Sequence, residues 1–226
     1  MGVNRNDRIL SMLQKPIEIF SGIMPINRQL YSKRLCLRRF KKIDALETKQ
    51  LMSKNRSFLT KWLQPQPELL RIEHILALIK DDHKQAKAGS RLDLGIFDSI
   101  SERLIGKIAL HSVDYGIQRS AYVSYWLDEE EQSKGYMTEA LATIISFAFE
   151  EASLHRINLK IGEGNKASSK LAKKLGFKKE GTERKSLFID GKWLDADIYG
   201  LLDEEYDKLA DDWIEKGYLG TDKFYL

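Results

Sequence analysis

Hydrophobic residues change their spacing along this chain, and each change marks a new element. Leu35 and Leu37 alternate with Cys36 and Arg38, which predicts a strand over residues 35–39. Asp44 stands where a cap would, ahead of a helix through Met52, and Asn55 opens a second helix carrying Phe58, Leu59 and Trp62. Pro65-Gln66-Pro67 breaks the pattern, because proline ends helices and restrains the residue before it. A third helix from about Leu69 to Ala86 has Ile72, Ile75, Leu76 and Ile79 at helical spacing. The rhythm then turns to period two. Leu92, Leu94 and Ile96 read as a strand, Asp98 to Glu102 as a turn, and Leu104 to Leu110 as the hairpin partner, with Ala121 to Leu127 the third strand of the meander.

From Gly135 the helical period returns. Met137, Leu141, Ile144, Ile145, Ala148 and Phe149 follow i, i+4, i+7, i+8, i+11, i+12, which predicts one apolar face. Ile157, Leu159 and Ile161 then alternate as a strand that a helical crossover makes parallel to 121–127. A short helix over Lys166 to Lys174 stops at Gly176, a suitable C′ residue. Phe177 starts another strand, Asp190-Gly191 suits a type I′ hairpin turn, and the last strand runs to Leu202. Glu204 to Lys216 reads as a terminal helix, followed by an aromatic tail with Tyr218, Phe224 and Tyr225. Periodicity is weak over the first residues. The organisation expected is an extension over 1–31, a domain of α/β class with a mixed sheet over 32–202, and a helix and tail over 203–226.

Composition narrows the class. The chain has 226 residues, 42% hydrophobic and 31% charged, enough for one soluble domain with a sizeable core. A net charge of +4 with both signs interspersed gives no reason to expect a nucleic-acid partner. The single cysteine, Cys36, excludes an internal disulfide and any cysteine-cluster metal site. Its apolar setting predicts a buried structural thiol from a reducing compartment, and no metal is expected. Lys15, Pro16 and Glu18 interrupt the apolar residues of 9–24, and no run approaches the ~18 apolar residues of a membrane span. These features read as a cytoplasmic protein without a membrane partner.

The chemistry concentrates where the strand ending at Leu127 runs through Asp128-Glu129-Glu130-Glu131 into the helix at Gly135. The first turn of a helix leaves amide groups unpaired, and the helix dipole adds partial positive charge there. A diphosphate fits such a site if the backbone can be approached closely. Gly135 gives that access because it has no Cβ, and Gln132 and Lys134 can add donors at the rim. The plainer reading is a glycine that turns the chain beside a solvated lysine.

The segment Tyr122-Val-Ser-Tyr-Trp-Leu-Asp-Glu-Glu-Glu-Gln-Ser-Lys-Gly-Tyr-Met-Thr-Glu-Ala-Leu141, with its apolar helix, resembles the cofactor motif of the GNAT acetyltransferase superfamily. More narrowly it is similar to the branch of the ribosomal-protein N-terminal alanine and serine acetyltransferases. Leu154-His155-Arg156-Ile157, Asn165-Lys166-Ala167-Ser168, Lys174-Leu175-Gly176-Phe177, then Glu180-Gly181, Arg184, Asp195 and Tyr199 extend the likeness in order over roughly 33–202. Met137 departs mildly from the small residue of the family motif. The resemblance implies a mostly antiparallel central sheet with helices on both faces. It also implies that acetyl-CoA is co-substrate and that the acetyl group passes directly to an amine. The backbone of Trp126 and Leu127 would hold the pantetheine, and the amides of Gln132, Ser133, Lys134, Gly135, Tyr136, Met137 and Thr138 would surround the diphosphate.

Asn165 reads equally as the cap of the helix after it and, by resemblance, as a cofactor contact. Ser168 shares its helix face and by resemblance lies near the leaving sulfur as the catalytic hydroxyl, against the plainer reading of a surface serine. Many GNAT enzymes carry a tyrosine where this chain has Ala172, and some ribosomal-protein acetyltransferases a glutamate where it has Leu187. The base is therefore open between Glu139, His111 and a water wire. Trp126 and Tyr125 are candidates for the acceptor pocket or for core, and His155 for a helix C-terminal residue that meets the dipole. The acceptor expected first is a protein N-terminal α-amine, as on a ribosomal protein. A small amine such as an antibiotic or polyamine, and a non-catalytic acyl-CoA-binding module, are the alternatives. A homodimer is left open.

Overall fold

The computed structural model describes residues 28–63 and 71–220. Eight strands form one sheet: β1 Leu30–Tyr31, β2 Leu35–Arg38, β3 Leu92–Asp98, β4 Leu104–Asp114, β5 Ser120–Leu127, β6 Arg156–Gly162, β7 Lys178–Ile189 and β8 Lys192–Leu202. Their spatial order is β1-β2-β3-β4-β5-β6-β8-β7. Every neighbouring pair is antiparallel except β5 and β6. The helices are α1 Ala45–Lys54, α2 Arg56–Leu59, α3 Ile72–Lys87, α4 Tyr136–Glu150, α5 Lys166–Lys174 and α6 Asp203–Glu215. The expected mixed, mostly antiparallel sheet with flanking helices is what the chain forms.

Alternation along the strands sorts the two faces. Leu92, Leu94, Ile96, Ile108, Leu110, Val123 and Leu127 join α4 in the main core. The other face meets α1 and α3 in a smaller cluster of Phe40, Ala45, Leu51, Ile75, Ile79, Phe97 and Leu104, with Trp126 packed against it. Helix α4 departs from the one-faced pattern expected of it, since every residue from Thr138 to Phe149 is buried. The sheet, including β1, β2 and β6, covers one side, and α6 packs against the helix as well.

Local signals hold at the turns. Asp190 and Gly191 have φ of 50° and 71°, the paired positive values of a type I′ turn between β7 and β8. Gly176, at φ 82°, follows the C-cap Leu175 and ends α5 as expected of a C′ glycine. Asp44 differs from expectation. Its side chain makes no cap bond for α1 and instead receives two bonds from Arg38, at 2.7 and 3.0 Å, and the Lys41 amide at 2.6 Å. A guanidinium within reach outcompetes a helix amide, because the bond is charge-assisted and bidentate.

Leu30 and Tyr31 pair with Leu37 and Cys36, so the sheet begins inside the segment read as an extension. At the other end, Tyr206 and Trp213 of α6 are each 1% exposed in the main core. Cys36 is half-buried rather than enclosed, because β2 has only the two-residue β1 outside it. Pro65-Gln66-Pro67, the start expected for the third helix, and Phe224 and Tyr225 lie outside the described residues.

Candidate active site

The parallel pair β5–β6 holds together over Ser120↔Arg156, Ala121↔Ile157 and Tyr122↔Asn158 only. Both strands continue beyond that point, β5 to Leu127 and β6 to Gly162. On its other edge β5 stays paired with β4, Trp126 opposite Lys107 and Leu127 opposite Gly106. The β6 side of Ser124 to Leu127 is therefore a parted seam whose backbone groups point at a gap. Asn158 bridges the sheet just before it, its amide reaching the Ala121 carbonyl at 3.4 Å.

The loop leaving β5 is anchored from below. Asp128 has 0% exposure and caps a 3-10 turn over Glu129–Glu131. Lys54 meets one of its oxygens at 3.0 Å and Asn55 the other at 3.1 Å, while the Asn55 carbonyl takes the Glu129 amide at 2.8 Å. Burial alone would raise the Asp128 carboxyl, but Lys54 and Asn55 hold it below the usual carboxylate range. Glu131, also buried, is bound by Arg103 and by Lys134 at 2.9 Å. The acidic run is thus in good part structural rather than a solvated face. It fastens the loop to α1, α2 and β4.

Above these anchors the loop turns through Ser133 at φ 62° and Gly135 at φ 86° into α4. A left-handed conformation suits glycine, and a Cβ added at Gly135 would meet Arg34 Nη2 at 3.3 Å. Arg34 donates to the Lys134 carbonyl at 3.0 Å and to Glu139 at 2.6 Å, and its guanidinium lies 4.3 Å from the centre of the Tyr136 ring. Ser32 adds a bond to Glu139 at 2.9 Å. Glu139 thus ties the turn between β1 and β2 to the start of α4. The open side of Gly135 and the first-turn amides of Tyr136, Met137 and Thr138 make a cradle that fits a diphosphate. Lys134, expected as a rim donor, spends its ammonium on Glu131. Met137 and Tyr136 rest partly buried against the main core.

Across the seam, Asn165 caps α5, its carbonyl oxygen accepting the Ser168 amide at 3.1 Å. The cap reading holds, and it turns Ser168 towards β5. Tyr125 reaches the same place with a buried hydroxyl. Burial raises this phenol to about 12, with the Ser168 hydroxyl beside it pulling the other way. Ala172 is fully buried, and its methyl group offers no hydroxyl there. Leu187 pairs with Leu194 in the long hairpin. His111 stacks on Tyr122, ring centres 5.9 Å apart, and burial with nearby Arg91 lowers its pKa. His155 lies beyond the end of α4 and faces Asp203 at 3.0 Å instead of the helix carbonyls.

On the α3 side a cavity of about 370 Å³ reaches the parted stretch of β5 and is lined by Met52, Leu59, Ile79, Asp82, Tyr125 and Trp126, among others. Tyr125 and Trp126 thus serve as pocket wall while still touching core. Arg34 and Asp82 carry no role in the sequence pattern, and Asn55, expected only as the start of a helix, also anchors the loop. Asp82 had a readable signal: it continues the stripe Ile75–Ile79–Ala86, so a carboxylate stands on the buried face of a helix.

A sheet parted at its single parallel pair, beside a glycine-opened helix start, fits an acyltransferase that draws its acyl group from coenzyme A, and residues 34–178 match the family model of the acetyltransferase (GNAT) domain. The chain belongs to the GNAT family of N-acetyltransferases. It is 30% identical over 177 residues to the probable N-acetyltransferase YjcK of Bacillus subtilis, which covers 78% of this chain and 98% of the relative. It is 32% identical over 175 residues to the ribosomal protein uS5-alanine N-acetyltransferase of Escherichia coli, covering 74% of this chain and 87% of that one. The solved structure of Mycobacterium smegmatis RimJ in complex with CoA-disulfide superposes with a TM-score of 0.80 at 22% identity, covering 85% and 96% of the two chains. At that identity the likeness speaks for the fold. No helix among the described residues is long and apolar enough to cross a membrane.

Proposed function

We propose that this enzyme transfers an acetyl group from acetyl-CoA directly to a primary amine, and that the acceptor is the N-terminal α-amine of a protein, a ribosomal protein first. The observation that carries the reading is the seam: pairing of β5 and β6 stops at Tyr122–Asn158, six residues before the loop whose amides would receive the diphosphate. Acetyl-CoA, when bound, supplies an acyl group activated as a thioester. The amides of Gln132 to Thr138 hold its diphosphate, the free edge of Trp126 and Leu127 takes the pantetheine as an added strand would, and Asn165 closes the far side. The Ser168 hydroxyl, set by the Asn165 cap, is placed to give a proton to the departing sulfur. No acyl-enzyme is needed, because Cys36 sits in β2, away from the seam in the sheet order.

The acceptor reading draws support from the relative named for alanine acetylation of a ribosomal protein, and from a cavity that reaches the seam from the side opposite α4. A cytoplasmic location suits both substrates. The test is release of free thiol from acetyl-CoA on peptides beginning with Ala or Ser and on a panel of small amines, including a polyamine and an aminoglycoside. Turnover is expected on the peptides. Turnover confined to the small amines would move the acceptor class. Acetyl-CoA binding without thiol release on any acceptor would make the chain a non-catalytic acyl-CoA-binding module.

A further inference from the structure

The cavity against α3 contains a charge cluster that the cofactor motif does not account for. Asp93 of β3 and Lys107 of β4 lie on the same face of the sheet, with Arg91 just ahead of β3. Lys107 reaches the Asp93 carboxylate at 2.6 Å, and Arg91 meets it at 2.8 and 2.5 Å. The Asp93 side chain has 0% exposure, and two cations neutralise it. Burial would raise its carboxyl, but Lys107 and Arg91 hold it below the usual range. Asp82 faces this group from α3 and is the one carboxylate among the described residues that line the cavity. Burial raises its carboxyl to about 6; Asp93 adds to the rise, and Lys107 and Arg91 oppose it. Arg39 after β2, Arg56 of α2, His111 of β4 and, through Arg91, Asp81 of α3 are further charged or titratable groups that act on the cluster.

We propose that the acceptor's ammonium group enters this cavity and gives its proton to Asp82, which is then the catalytic base, with Asp93 as a positioning residue behind it. The proposal rests on the transfer reading and deepens it. An amine in neutral water is RNH₃⁺ and has no lone pair to offer. One proton passes to the Asp82 carboxylate, leaving RNH₂ and a neutral carboxyl. The nitrogen lone pair then forms the C–N bond while the C–S pair leaves with sulfur. The Ser168 hydroxyl gives its proton to that sulfur and takes the second N–H proton in its place, giving amide and thiol, and Asp82 returns its proton to water. A base whose pKa lies near working pH is both ionised and strong enough for this step. Arg56 is a further cation on the same wall, which disfavours an acceptor carrying a second ammonium, such as a polyamine.

The experiment compares wild type, Asp82→Asn and Lys107→Met by thiol release across pH, using an Ala-starting peptide and n-butylamine. Acetyl-CoA must still raise the melting temperature of each variant, as the check on folding. Asp82→Asn is expected to lower kcat/KM for the amine about 100-fold. It should also remove the limb that falls below pH about 6 in wild type. Lys107→Met, by deleting the cation that opposes the rise, should move that limb upward, and this arm decides the matter if Asp82→Asn does not fold. Activity within threefold of wild type with the limb unchanged, or a limb that Lys107→Met leaves in place, overturns the proposal. If wild type releases thiol on no amine, the transfer reading has failed. The proposal is then judged on binding: n-butylammonium must raise the melting temperature of wild type and not of Asp82→Asn. No rise in wild type, or equal rises in both, overturns it.

Discussion

Gly135 is the position where one side chain should separate folding from cofactor binding. Its φ of 86° puts an L-residue in the left-handed region, at a cost of about 1–2 kcal/mol. Among the described residues, the one heavy atom within 4 Å of an added Cβ is Arg34 Nη2 at 3.3 Å, the end of a flexible chain, so sterics inside the protein add little. A domain with total stability of about 5–15 kcal/mol survives that loss. The Gly135→Asp variant should therefore fold, with a melting temperature lower by about 2–8 °C for a domain of this size. Ligand binding is a different matter, because a carboxylate would stand where the diphosphate approaches the first-turn amides. Acetyl-CoA at 100 times its Kd should stabilise wild type by about 2.7 kcal/mol, which reads as a rise of about 5–10 °C. In Gly135→Asp that rise should vanish, and Gly135→Ala should fall between the two. Thermal unfolding with and without acetyl-CoA is the assay. A folded Gly135→Asp protein whose melting point still climbs with acetyl-CoA as wild type does would refute the cradle.

Other outcomes follow from the same geometry. Arg34→Met leaves Glu139, whose side chain is 6% exposed, without its cation, and should cost about 2–3 kcal/mol by urea denaturation. That is less than for a fully enclosed pair, since Arg34 is itself 39% exposed, and acetyl-CoA affinity should fall with it. Asn165→Ala removes the cap of α5 and should cost about 1 kcal/mol, and an Asp at this position should restore most of the stability but not the cofactor affinity if the amide touches the cofactor. Burial raises and Arg38 more than offsets the raising at Asp44, so its folded pKa lies under the unfolded value of about 3.9. Its stabilisation is present above that value and lost as pH falls through the folded one, so Asp44→Asn should flatten the acid limb of a stability profile. Asp82 has the opposite sign. Its folded pKa of about 6 is raised, so stability is lost as pH rises from the ordinary carboxylate range through that value. Asp82→Asn should accordingly be more stable than wild type at pH about 8, by urea titration.

The elements were legible because each carries its own period. Strand alternation at Leu92–Ile96, the helix after Gly135 and the Asp190–Gly191 turn all follow from local sterics and from which side of an element meets solvent. Asn165 was readable as a cap for the same reason. The anchors of the loop were not. Asp128 and Glu131 look like a solvated acidic run until Lys54, Asn55 and Arg103 arrive from other elements. Arg34 has no local signature, because its partners Lys134 and Glu139 lie 100 and 105 residues away in the chain.

By itself, then, the order of apolar and polar residues determined the elements, their sequence and the strand–loop–helix unit at 127–138, since periodicity and backbone preference act over a few residues. Only the tertiary structure decided where β5 and β6 part, which carboxylates are spent on salt bridges, and that Asp82 shares a cavity with Tyr125 and Trp126. Those outcomes depend on burial and on charges brought together from distant segments, and neither quantity exists until the sheet has closed.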